Sequence, residues 1–287
     1  MNELPALPAY LTAADGLFFP DGNIILQAEG TVFMLYKGLL ASKSAVFADM
    51  LAFPQPGGEA KSLLGVPLVE LYDNAEEATY FLRALTDSSY LPPGKLISFH
   101  EVAGVLRLAN KYDTPYLVER AIAHIASVYP PTLDAWEHRN EHRTILPTPN
   151  LAVGVLLLAR ERPESLECVL PQVLYAIADG LTVSDIWDGV DFPVDGSNRQ
   201  GQDGAAGPCK RLEICRADQH ALFRAREELL QAKRRRMYAF LTSLSAGCGA
   251  MACREEKLKC YAGVAWDSTI FDEEFDWRCF EQRVCRR

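Results

Sequence analysis

Cysteine is absent from the first 167 residues of this 287-residue chain, and all eight cysteines lie at or after Cys168. The opening ten residues also lack the basic start and the apolar stretch of a secretory signal. Without such a signal, we expect an intracellular protein, cytoplasmic or nuclear. Because disulfides persist mainly in oxidising compartments, its cysteines are then expected to be reduced thiols or metal ligands.

Long apolar runs are missing as well. An uninterrupted run such as 155–159 is short, whereas a bilayer span needs about 20 residues, so we expect no association with a membrane. The phosphate-cradling motifs G-x-x-x-x-G-K-[ST] and G-x-G-x-x-G are absent, and so is the nucleophile elbow G-x-S-x-G. These absences predict that the protein is not an enzyme and has no catalytic residues.

The clearest signal for regular structure lies in 24–36, which holds two short runs rich in β-branched and aromatic residues. Glu29 and Gly30 separate the runs with the spacing and residue types of a hairpin turn. Through 39–51, apolar residues recur at three- and four-residue intervals, and serines within this segment can cap a helix. The pattern predicts a β-hairpin that leads directly into amphipathic helix.

This hairpin, followed by the aromatic-basic pair Tyr36-Lys37 and the run LLASKSAVFADM, resembles the opening of a BTB (POZ) domain. The form is similar to that of BTB proteins from mushroom-forming fungi, and the similarity extends to about residue 128. The resemblance implies a small β-sheet flanked by helices. It also implies a protein-interaction module that is commonly a homodimer.

Two positions depart from the family pattern. Tyr36 stands where the family usually has His, and Asn23 stands where it has an acid fourteen positions before the basic Lys37, with Asp21 two positions earlier. In family dimers that acid and base line a charged pocket near the dimer interface. The resemblance therefore makes these four residues candidates for binding a partner, and the alternative is that they only orient hairpin and helix.

The apolar residues of the following segment are candidates for a dimer interface. In a two-fold dimer the same patch serves both chains. We expect Leu39, Val46, Phe47 and Met50 to divide between the core and such an interface.

Strands come first along the chain and helices follow, which predicts an α+β fold. We expect a BTB/POZ domain at 17–130 after a loosely ordered lead-in, with a third strand at 66–71 pairing with the hairpin to make a small sheet. A mainly α-helical C-terminal extension follows. It comprises a helical segment at 131–185, a glycine-rich flexible loop at 186–209, and a helix with a cysteine-containing tail at 210–287.

The tail contains two cysteine pairs, Cys248 with Cys253 and Cys279 with Cys285. Two such pairs joined by a loop resemble a structural zinc site, because thiolates favour tetrahedral zinc. Their spacing is wider than the usual one, so ordinary reduced thiols are the alternative. We predict no cofactor, with structural zinc as the competing hypothesis.

A basic run at 233–236 lies on a predicted helix, where it is a nuclear localisation signal, a nucleic-acid contact or a charged helix face. The chain as a whole has a net charge of -9, which argues against nucleic acid as a partner.

Three functions follow from these features. The first is a non-enzymatic, homo-oligomerising BTB scaffold or adaptor whose partners are a second copy of itself and other proteins. The second is a substrate adaptor of a cullin-type ubiquitin ligase. The third is a zinc-stabilised nuclear regulator that acts through its C-terminal tail.

Overall fold

The structure, a computed structural model, describes residues 7–52, 61–194 and 208–242, together with Glu255. Its strands are β1 (Thr12–Phe18), β2 (Ile24–Ala28), β3 (Thr31–Leu35), β4 (Ser62–Leu63), β5 (Val66–Leu71), β6 (Val190–Pro193) and β7 (Cys209–Leu212). Its helices are α1 (Lys37–Lys43), α2 (Ala45–Ala52), α3 (Ala75–Thr86), α4 (Phe99–Lys111), α5 (Pro115–Val128), α6 (Leu133–Glu137), α7 (Arg139–His142), α8 (Leu151–Glu161), α9 (Pro163–Leu166), α10 (Leu170–Gly180), α11 (Val183–Asp188) and α12 (Arg216–Thr242).

The first five strands form one mixed sheet in the order β1-β3-β2-β5-β4. The fold is therefore α+β, as the order of elements along the sequence predicts. The sheet is larger than the three strands expected, because β1 pairs parallel with β3 and β4 pairs antiparallel with β5. The predicted strand at 66–71 is confirmed as β5, which pairs parallel with β2.

The expectation of a loosely ordered lead-in before residue 17 is wrong for β1. Buried residues in this segment recur at intervals of three, at Leu11, Ala14 and Leu17, whereas a regular half-buried strand alternates with a period of two. The register between β1 and β3 shifts between Ala13 and Phe18. This irregularity changes the direction in which side chains point. The strand therefore lacks the alternation of buried and exposed residues from which a strand would be predicted.

The predicted hairpin of β2 and β3 is confirmed, with Ala28 opposite Thr31. Glu29 in the turn has a φ of 51°, a left-handed conformation that is uncommon for a residue with a side chain. Its carboxylate accepts a hydrogen bond from the backbone N–H of Ala75 at 3.2 Å. Because Ala75 is the first residue of α3, the acid lies where the helix dipole favours negative charge.

Three helices begin at residues with a clear local cause. Ser44 accepts a hydrogen bond from the Phe47 N–H at 3.1 Å and so caps α2. Asn74 caps α3 by accepting hydrogen bonds from the backbone N–H groups of Glu76 and Glu77. Pro115 is the first residue of α5. Thr114 does not cap α5 with its side chain, since its hydroxyl donates instead to the Ala109 carbonyl.

A stack of three aromatic rings forms the core between the first helices. The Phe47 and Tyr112 rings lie 4.6 Å apart and nearly parallel, and Phe81 packs against Tyr112 at 5.3 Å. The Tyr112 hydroxyl donates to Asp73, which also pairs with Lys111 at 2.6 Å. The pKa of Tyr112 is raised, mainly by burial and secondly by this hydrogen bond. The stack is thus apolar inside and fully paired at its polar end.

The chain divides into two compact units, one comprising Met1–Val173 with Asp191–Arg211 and the other Leu174–Val190 with Leu212–Arg287. This division differs from the expected domain boundary at 130. The reason lies in contacts made by the later chain inside the first unit. Ile145 forms a parallel bridge with Ile97, and the Phe192 ring lies 5.8 Å from that of Phe99.

Gly154 of α8 shows how closely this extension packs. A Cβ at Gly154 would lie 3.0 Å from ring atoms of both Phe99 and Phe192. The flexible loop expected at 186–209 is also corrected at both ends, because α11 extends to Asp188 and β6 pairs with β7. The middle of that predicted loop, 195–207, lies outside the described residues.

The second unit is held by side chains that bind the ends of its helices. Gln219 donates to the carbonyls of Ile186 and Trp187, and Arg226 donates to those of Ala178 and Leu181. These carbonyls lie at or just beyond helix C-termini, where the last turn has no partner within its own helix. Among the described helices, none is both long and apolar enough to span a bilayer.

Candidate interaction surface

Two hydrogen bonds connect the turn before β2 to the start of α1. The Tyr36 hydroxyl donates to Asp21 Oδ1 at 2.6 Å, and the Lys37 N–H donates to Asn23 Oδ1 at 2.8 Å. The hydrogen bond to the Asp21 carboxylate raises the pKa of Tyr36. The structure therefore brings together all four residues that the sequence singles out.

The pairing gives Tyr36 and Asn23 a structural role. Tyr36 is the N-cap residue of α1 but makes no side-chain cap itself. Asn23 instead accepts from the first N–H of the helix, one of the groups that a helix leaves without an internal partner. The side-chain amide of Asn23 does this without bringing a charge to the turn.

Gly22 allows the turn to approach β3 closely. A Cβ at this position would lie 2.6 Å from Met34 Cγ and 3.0 Å from the Leu35 carbonyl oxygen. The backbone N–H of Asn23 donates to that same carbonyl at 2.9 Å. Glycine at 22 is thus needed for Asp21 and Asn23 to reach α1.

Lys37 is half-buried, and its ammonium forms no ion pair with another residue in the described ranges. One oxygen of the nearby Asp21 is occupied by Tyr36. A neutral amide, a paired carboxylate and the ammonium of Lys37 are therefore the polar groups that Asn23, Asp21 and Lys37 bring to this turn.

Phe47 does not belong to any exposed surface of this chain. It has no exposed area and lies in the aromatic stack with Tyr112, which corrects its place among the interface candidates. The other apolar candidates keep an exposed side: Val46 is 37% exposed, and Leu39 and Met50 are half-buried. We call these three residues of α1 and α2 the apolar face.

Leu133 is 72% exposed on the short helix α6. Thr132 caps that helix by accepting from the Ala135 N–H.

A cavity of about 340 Å³ in the first unit was also missed. His124 lines this cavity, and its Nδ1 lies 2.8 Å from Thr144 Oγ1. The partner comes from a segment twenty residues away along the chain. No local spacing in the sequence pairs these two side chains.

The cysteines proposed for zinc, Cys248, Cys253, Cys279 and Cys285, lie outside the described residues. Structural zinc therefore stays a prediction. Within the described part of the chain, no group of three or more His, Cys, Asp or Glu side chains is arranged to hold a metal ion. In the basic run, Arg234 and Arg235 are exposed on α12.

A scan against protein-family models finds no match for this chain, and a search of the curated proteins finds no similar one. Any function must therefore be argued from the residues and geometry described above.

Proposed function

We propose that this chain is a non-enzymatic protein-interaction protein of BTB type, and that it associates with a second copy of itself through the apolar face. The observation that carries this proposal is the exposure of Val46 beside the half-buried Leu39 and Met50. The order of hairpin, two short helices, strand and helices is the order that the BTB resemblance implies, which supports the proposal further.

The charges beside the apolar face suit self-association. Lys43 and Asp49 are both exposed on the same pair of helices. In a two-fold interface each chain presents the same patch, so a patch that carries both signs of charge can pair with its own copy. A polar rim of this kind around an apolar centre is the usual composition of a protein interface.

The test is the mass of the full chain in solution, measured by light scattering at several concentrations. We expect a dimer for the wild type and a monomer for the double variant Val46→Glu, Met50→Glu, because burying a carboxylate without a partner is unfavourable. Val183→Glu is the matched control: Val183 is 56% exposed at the start of α11, and this variant should remain a dimer. A wild-type chain that stays monomeric at every concentration contradicts the proposal.

A cullin adaptor is the second candidate, favoured by the exposed Leu133 on α6. Mixing the full chain with a cullin N-terminal domain should then give a complex that Leu133→Glu weakens and Val183→Glu leaves intact. If no complex forms with wild type, the adaptor function is excluded while the self-association proposal is unaffected.

The zinc-stabilised regulator remains the third candidate, carried by sequence alone. Its test is the metal content of the full chain purified without chelator, compared with the variant Cys248→Ser. Stoichiometric zinc in the wild type and its loss in the variant would support a structural site. Wild type free of zinc would exclude it.

A further inference from the structure

The second half of α12 makes no hydrogen bond to another element in the part of the chain that the structure describes. The last such bonds along the helix come from Arg226, which donates to the carbonyls of Ala178 and Leu181. Beyond Arg226, the hydrogen bonds of the described side chains stay within α12, as in the pair of Glu227 and Gln231 at 2.9 Å. Most helices are stabilised by packing one face against a neighbour, so this half of α12 presents a face that a partner can cover.

Four residues of α12 lie along one side of the helix. Phe223, Glu227, Leu230 and Arg234 follow one another at steps of four, three and four residues, and such steps return to the same helix face. Glu227 and Arg234 are exposed, whereas the two apolar residues are half-buried. Trp187 of α11, which is 66% exposed, packs on Phe223 with the ring centroids 6.3 Å apart. We call these five residues the α12 stripe.

The order of charges along the α12 stripe is self-complementary. At a rise of about 1.5 Å per residue, Glu227 lies about 4.5 Å before Leu230 and Arg234 about 6 Å after it. A two-fold rotation about an axis beside Leu230 therefore brings Glu227 of each chain opposite Arg234 of the other. Both groups can take part, because Glu227 accepts from Gln231 at one oxygen only, and Arg234 forms no ion pair within the described ranges.

The same charges disfavour a parallel arrangement of two such helices. In a parallel pair each residue meets its own copy, so Glu227 would face Glu227 and Arg234 would face Arg234. Like charges placed opposite each other across an interface are unfavourable. An antiparallel pair avoids both repulsions, and it also brings the helix dipoles into opposite directions.

We propose that the α12 stripe pairs with the same stripe of a second copy, as an antiparallel helix pair centred on Leu230. Leu230 packs on its own copy at the centre, and Glu227 of each chain pairs with Arg234 of the other. This contact is separate from the apolar face of α1 and α2 and does not depend on the function proposed above. Because it is small, it is weak on its own, and it gains strength between chains that another contact already holds together.

The test measures self-association of the full chain in the variant Val46→Glu, Met50→Glu, which disrupts the apolar face. Light scattering follows its mass at concentrations raised to about 1 mM, where weak contacts are populated. We expect the mass to rise from that of a monomer toward that of a dimer. Adding Glu227→Arg should weaken this association about tenfold, because arginine then faces Arg234 at two symmetric places. The same series without the Val46 and Met50 changes should give the same order of affinities.

A charge exchange tests the antiparallel register directly. The double change Glu227→Arg, Arg234→Glu should restore the association, because opposite charges again face each other across the two-fold axis. Within one helix the two positions are about 10.5 Å apart along the axis. That separation is too large for a direct ion pair, so the rescue cannot arise inside one chain.

Glu228→Arg is the matched control. It makes the same change in net charge at the neighbouring exposed position, but Glu228 lies off the α12 stripe and pairs with Arg224 of its own helix at 3.1 Å. This variant should associate as its parent does. A parent that stays monomeric at every concentration would assign the stripe to a different partner and overturn the proposal. An equal loss in Glu227→Arg and Glu228→Arg, no loss in Glu227→Arg, or no rescue by the charge exchange would each overturn it as well.

Discussion

Two regions of the first unit solve the problem of burial in different ways. In the aromatic stack, the rings of Phe47, Phe81 and Tyr112 fill the space, and the one polar group that enters it is paired with Asp73. Around the cavity, hydrogen bonds with Thr144 and Ser127 orient His124, and the space beside it stays unfilled. Packing fills volume, whereas hydrogen bonds fix direction, and here only the second arrangement leaves a cavity.

The largest effect should come from the stack. Phe47→Ala removes a fully buried ring and should lower the free energy of unfolding by about 3 to 5 kcal/mol, the usual cost of such a cavity. Urea denaturation followed by circular dichroism measures it. Val46→Ala, next to it but 37% exposed, is the control and should cost far less. Similar losses in the two variants would show that the stack does not dominate the core.

A smaller loss is expected where hydrogen bonds carry the structure. Thr144→Val keeps the shape but removes the hydroxyl that pairs with His124 and Ser127. Leaving those groups unsatisfied should lower the free energy of unfolding by about 1 to 3 kcal/mol. The same change at the exposed Thr12 is the control. A Thr144→Val variant that is as stable as wild type would mean that the hydrogen bonds of Thr144 do not contribute to the stability of the fold.

The stability that His124 contributes beside the cavity should decrease in acid. The pKa of His124 is lowered in the folded chain from its ordinary 6.5, so the unfolded chain binds a proton more readily. The contribution of His124 to stability is then present above pH 6.5 and is lost as the pH falls toward the folded value. Unfolding free energies of wild type and His124→Gln, measured from pH 7.5 to 5, should converge as the pH falls. A constant difference between them would contradict the shift.

The smallest effect should lie at the surface turn. Tyr36→Phe removes the hydrogen bond to Asp21, which is solvent-exposed, and should leave the free energy of unfolding almost unchanged, because water replaces the lost partner. Asn23→Ala, which removes the acceptor for the first N–H of α1, should cost about 1 kcal/mol. A larger loss of stability in Tyr36→Phe than in Asn23→Ala would show that the tyrosine, and not the asparagine, holds the turn.

The parts of the fold that could be predicted share a local cause. The hairpin turn at Glu29-Gly30, the strand at 66–71 and the helix that Ser44 caps each depend on residues within a few positions of one another. The parts that were missed depend on distant residues. The irregular register of β1 breaks the expected alternation, and Ile145 joins the first unit by pairing with Ile97, far along the chain.

The candidate surface shows the same division. Spacing placed Leu39, Val46, Phe47 and Met50 on helix, but only the stack with Tyr112 shows that Phe47 is core and that Val46 is exposed. The link between Asn23 and Lys37 could be anticipated from the family resemblance, though not its chemistry, in which an amide accepts from a backbone N–H.

The sequence by itself determined the α+β order of elements, the hairpin, the strand at 66–71 and the residues of the turn before α1, because these follow from local conformational preference and apolar periodicity. Tertiary structure decided which apolar residues are buried, how far the first unit extends, and that Thr144 and Ser127 meet beside the ring of His124. Those outcomes depend on which distant surfaces meet, and contact between distant segments leaves no periodic trace along the chain.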